Sequence, residues 1–88
     1  MNDSKIAEVR EMLLTVARSL VDHPEKLTIS VIPQETGTLF QIRSSATDVG
    51  KLIGNSGRTA RAIRLILAAN SMKLKHTLRL DIAQPESM

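Results

Sequence analysis

The sequence predicts an α+β domain in the order helix, strand, strand, helix, helix, strand, with a three-stranded sheet and the helices packed on one face. Three observations carry this. Residues 4–22 hold an amphipathic stripe, two alternating runs follow close enough together to form a hairpin, and a third alternating run from Thr77 to Ile82 comes after a helical stretch.

In the first element, Ile6, Val9, Leu13, Val16, Ala17 and Leu20 recur at the three-and-four spacing of one helical face. Asp3 or Ser4 can cap its start. Asp22-His23-Pro24 ends it, because proline disfavours helical geometry in the residue before it, and His23 suits the negative helix end. Leu27, Ile29 and Val31 then alternate with Thr28 and Ser30, as in a half-buried strand. Pro33 is expected to stop the ladder, and Gln34-Glu35-Thr36-Gly37 to turn the chain. In the second strand Leu39 and Gln41 face opposite to Phe40 and Ile42.

Ser44-Ser45 opens a short helix whose apolar side is Val49, Leu52 and Ile53, with Ser45 and Asp48 spaced as a capping box. Gly54 ends it, and Ser56 or Gly57 starts the next helix, expected to run to Asn70 or Met72. On that helix Ala60, Ile63, Ile66 and Leu67 form the core side, while Ala62, Leu65 and Ala69 make a second, smaller apolar strip. Residues 1–83 thus read as one domain and 84–88 as a flexible C-terminal tail.

Composition narrows the function. A chain of 88 residues suits one domain with a modest core, and its 42% hydrophobic content suits a folded one. Phe40 is the single Phe, Tyr or Trp, so the core is aliphatic. The absence of cysteine excludes a disulfide framework and a thiolate zinc site. The polar, acidic start Met1-Asn2-Asp3-Ser4 is unlike a signal peptide, and no apolar run reaches the about 20 residues of a membrane helix. A cytoplasmic location is expected. His23 and His76 lack ligand spacing, and neither a nucleophile–base pair nor a Walker phosphate loop is present. No enzyme activity, cofactor or metal site is therefore expected.

Charge is concentrated. Residues 43–64 carry Arg43, Lys51, Arg58, Arg61 and Arg64 against Asp48 alone, whereas residues 1–42 are net acidic. This favours a polyanionic partner for the central segment. Within it, Gly54-Asn55-Ser56-Gly57 joins two helices, follows the aliphatic pair Leu52-Ile53 and is flanked by Lys51 and Arg58. Glycines admit close approach of a nucleic-acid backbone, and the N-terminal end of the second helix favours phosphate. A glycine-x-x-glycine turn alone is weak, since ordinary helix–helix turns use the same residues. The surrounding elements and charge make it specific.

The string from Val49 to Gly57 resembles the signature of KH domains, and the element order is that of the type II KH arrangement of prokaryotic proteins. More narrowly, Ser19-Leu20-Val21-Asp22-His23-Pro24, then Asp48 to Gly54, then Gly57-Arg58-Thr59-Ala60-Arg61-Ala62-Ile63-Arg64 resemble the KhpA family of stand-alone bacterial KH proteins. The resemblance runs from about Ile6 to Ile82. It implies single-stranded RNA binding through the loop, with Lys51, Ile53, Gly54, Asn55, Ser56, Gly57, Arg58 and Arg61 as RNA-binding residues. It also implies a homodimer, or a heterodimer with a larger KH-domain protein, and a role as post-transcriptional regulator or RNA chaperone in cell elongation and envelope synthesis. Ala62, Leu65 and Ala69 are the expected dimer interface. Where the family commonly has a basic loop residue, this chain has Asn55, which with Ser56 can still donate hydrogen bonds to phosphate.

Bases are expected in a groove against Val49, Leu52, Ile53 and Ile42, with Phe40 the one candidate for aromatic stacking. The competing reading is a protein-docking adaptor that uses the KH fold with little RNA affinity. The neutral loop and the Ala62-Leu65-Ala69 strip favour it.

Overall fold

The computed structural model describes residues 3–84. The elements are α1 (Asp3–Leu20), β1 (Thr28–Gln34), β2 (Gly37–Arg43), α2 (Val49–Ile53), α3 (Arg58–Leu74) and β3 (Thr77–Ile82). Single 3-10 turns lie at Pro24–Lys26, Ala46–Asp48 and Asn55–Gly57. The sheet order is β1-β2-β3, with β1 and β2 antiparallel and β2 and β3 parallel. This is the α+β architecture expected of a KH-type fold. The expected tail beyond Gln84 lies outside the described residues.

The sheet buries one face. Ile29, Ile42 and Ile82 form one cross-sheet row, and Phe40 and Leu80 belong to the next. Val9, Leu13, Leu14 and Ala17 of α1, Leu52 of α2 and Ile63 and Leu67 of α3 complete the core with them. On the opposite face Ile32, Leu39 and Arg79 lie side by side, and the Gln41 amide donates to Asp81 at 2.9 Å. Long-range parallel pairing of β2 with β3 requires close approach at Gly37. A Cβ there would run into the carbonyl of Thr77.

Several local expectations change. Pro33 does not stop β1: it pairs with Thr38, and the ladder continues to Gln34–Gly37 with Glu35-Thr36 as the turn. β1 is an edge strand, where a missing N–H is tolerated. Val31 has the expected orientation but stays 38% exposed. Helix α1 stops at Leu20, and α3 runs on to Leu74. The later end of α3 has a local cause: Lys75 takes the left-handed cap conformation (φ 54°), and the His76 N–H reaches the Ser71 carbonyl at 3.2 Å. Ile66, read as core, is 46% exposed, because α3 buries the narrower stripe of Ala60, Ile63 and Leu67. The His76 ring then bridges to the buried Thr38 hydroxyl at 2.8 Å, joining the start of β3 to β2.

Candidate nucleic-acid interface

The loop predicted from sequence is a tight turn between α2 and α3. The Gly54 N–H closes α2 onto the Gly50 carbonyl at 2.8 Å, and the Gly57 N–H returns to the Gly54 carbonyl at 3.1 Å. Gly54, Ser56 and Gly57 all have positive φ, at 81°, 57° and 77°. The two glycines adopt these angles freely, whereas Ser56 holds a conformation that costs an L-residue about 1–2 kcal/mol. Asn55 and Ser56 are exposed at the tip.

The glycines differ in what surrounds them. At Gly54 a Cβ would overlap Thr59, including its backbone nitrogen, so the space is used by the protein itself. At Gly57 and Gly50 nothing lies within 4 Å of an added Cβ. The main chain at these two positions is open to a ligand's backbone.

The cations divide in the same way. Arg58 and Arg61, in the first turn and a half of α3, are exposed and have no carboxylate within ion-pair distance among the described residues. The Arg64 guanidinium instead leans on the Leu80 carbonyl at 3.4 Å. Lys51 is committed to acidic neighbours, with its Nζ 3.2 Å from Asp22 Oδ2 and 3.8 Å from Asp48 Oδ1.

Asp48 is not the helix cap that its spacing from Ser45 suggested, since no side-chain capping bond forms at either turn. Its side chain is fully buried, accepting the N–H groups of Asp22 and His23 at 3.0 and 2.9 Å and the Ser45 hydroxyl at 3.1 Å. Burial pushes the carboxyl up, but these donors outweigh it and hold the pKa below the ordinary aspartate value. Asp48 thereby ties the turn after α1 to the start of α2. His23 contributes its backbone to this tie; its ring lies 3.6 Å from Glu25 and does not cap α1. Sequence reasoning missed this role, because the partners lie 25 and 26 residues away. The one local signal was an aspartate inside an otherwise basic segment.

The expected base-binding floor is mostly core. Leu52, Ile42 and Phe40 have no exposed surface and Val49 very little, so none can receive a base and Phe40 cannot stack. Ile53 alone of that set is partly exposed at the loop. Away from the loop, Ala62, Leu65 and Ala69 are exposed on α3, Leu65 at 66%. Ile66 and Met72 extend this apolar strip, Met72 at 82% exposure.

A family model described as KhpA/KhpB, KH domain, matches residues 10–82. The chain belongs to the KhpA/KhpB KH-domain family. RNA-binding protein KhpA of Borreliella burgdorferi is 40% identical over 72 residues, covering 82% of this chain and 88% of that protein. The Treponema pallidum protein of the same name is 39% identical over 72 residues, covering 82% and 90%. The Listeria monocytogenes protein is 34% identical over 76 residues, covering 86% and all of it. No solved structure matched the chain significantly. Membership in the KhpA/KhpB family places the chain among KH-domain proteins, not among enzymes. Among the described residues, no helix is long and apolar enough to cross a membrane.

Proposed function

We propose that this protein binds single-stranded RNA through the Gly54–Gly57 loop. The observation that carries the reading is the pairing of an open glycine main chain with Arg58 and Arg61, two exposed cations with no acidic partner among the described residues. Asn55 and Ser56 donate to phosphate at the tip, Gly57 admits the backbone, and Ile53 offers the nearest aliphatic surface to a base. Without an aromatic stacking partner, affinity per domain is modest and tolerant of sequence. On the family resemblance, we extend the reading to a cytoplasmic post-transcriptional regulator or RNA chaperone acting in cell elongation and envelope synthesis.

Salt dependence tests the electrostatics. Arg58 and Arg61 on two phosphates predict a log–log salt slope of about −1.4 for a short single strand, at about −0.7 per contact. A slope of zero, or no binding at low salt, would replace the RNA reading with that of a protein-docking adaptor.

The second element of the proposal is assembly through α3. Leu65, Ile66 and Met72 stand out from a helix whose Ala62 and Ala69 let a second helix come close. A second copy of this chain is the proposed occupant. Two loops on one strand then raise avidity without new contacts. Leu65→Glu should give a folded monomer, since burying an unpaired charge is costly. Sedimentation across a concentration range checks this, and dimerisation of the variant equal to wild type would place the interface elsewhere. A monomeric wild type points to a larger KH-domain protein as partner.

A further inference from the structure

Lys51 lies in the basic segment that the RNA reading assigns to the ligand, yet its ammonium is already engaged. Its nearer partner is Asp22, at 3.2 Å, on the turn that follows α1. The second, Asp48, is at 3.8 Å and is already satisfied by two backbone N–H groups and the Ser45 hydroxyl. Asp22 has no such compensation among the described residues: its side chain is 69% exposed, and Lys51 is its one ion-pair partner there. Asp22 itself is held in place, because its backbone N–H donates to the buried Asp48. An anionic oxygen is therefore presented to Lys51 by a fixed main chain.

We propose that Asp22 acts as a built-in competitor for Lys51, occupying with its carboxylate the place that an RNA phosphate would take and so lowering RNA affinity. The proposal rests on the RNA-binding reading above. A carboxylate oxygen and a phosphate oxygen make the same kind of charge-assisted hydrogen bond to an ammonium, so they are alternatives at one donor. In the wild type, Arg58 and Arg61 carry the phosphate contacts and Lys51 adds little. Once Asp22 is neutral, Lys51 is released as a third contact. The pair is exposed, so the effect is small and sensitive to salt.

The test uses the full chain and a labelled, mixed-sequence single-stranded RNA oligonucleotide short enough to hold one domain. Asp22→Asn keeps the backbone bond to Asp48 and should melt near wild type. It should bind about two- to five-fold more tightly at low salt. Its salt slope should steepen from about −1.4 to about −2.1, by one contact. Two controls separate local competition from overall charge. Glu25→Gln makes the same charge change three residues away but pairs with His23, not Lys51, and should leave affinity within error. In a Lys51→Met background, Asp22→Asn should have no effect. The proposal is overturned if Asp22→Asn binds like wild type, if Glu25→Gln strengthens binding as much, or if the gain survives Lys51→Met. If neither wild type nor Asp22→Asn binds RNA, the RNA reading falls first and the proposal with it.

Discussion

The two ends of the glycine loop are built for different tasks. At the α2 end most of the distinctive residues are already engaged within the protein. Leu52 is fully buried, the space beside Gly54 is filled by Thr59, and Lys51 is paired with Asp22 and Asp48. At the α3 end the same residue types are uncommitted. Gly57 has open space beside it, Arg58 and Arg61 lack acidic partners among the described residues, and Leu65 faces solvent. The short helix anchors the loop and the long helix presents it. A signature motif read as one unit thus divides into a half packed within the protein and a half left open.

The largest effect that follows is on stability. Gly54→Ala combines a positive φ with overlap against the Thr59 backbone, and should cost about 2–5 kcal/mol. Gly57→Ala bears only the conformational cost, about 1–2 kcal/mol. Chemical denaturation of the two variants sharpens the comparison. Equal losses would mean that both glycines are merely turn residues.

A subtler effect concerns the anchor. The pKa of Asp48 is lowered in the folded protein, so its contribution to stability is fully present above the ordinary aspartate range and is lost as pH falls through the folded value. Melting temperature should hold from neutral pH down to about 4 and then decline. In Asp48→Asn the acid-dependent decline should be shallower, from a lower starting stability. An unchanged acid limb would show that the Asp48 tie does not hold α2 in place.

The elements were legible because periodicity is local. The alternations through Ile29, Phe40 and Ile42 and through Leu78, Leu80 and Ile82 place the same residues in the core that the sheet buries. The errors arise where a neighbour distant in sequence decides. Leu14 falls outside the expected stripe yet is buried; Val31 fits its stripe yet is exposed on the edge strand β1, and Ile66 fits its stripe yet is exposed because α3 buries only Ala60, Ile63 and Leu67. Pro33 joins a ladder because β1 is an edge. At the loop, sequence located the glycines and the basic residues. It did not separate Arg58 and Arg61, which have no acidic partner among the described residues, from Lys51, which is paired, because Asp22 lies 29 residues from Lys51. Nor did it show that Val49, Leu52 and Ile42 are too deeply buried to meet a base.

The central claim is that the exposed loop tip receives RNA phosphate. Replacing both Asn55 and Ser56 with aspartate puts negative charge there without disturbing a buried contact. Binding of a short single-stranded RNA by the double variant, measured beside its melting curve, is the most direct test. The account predicts loss of binding with a melting temperature near that of wild type. A folded double variant that binds RNA as well as wild type would contradict it.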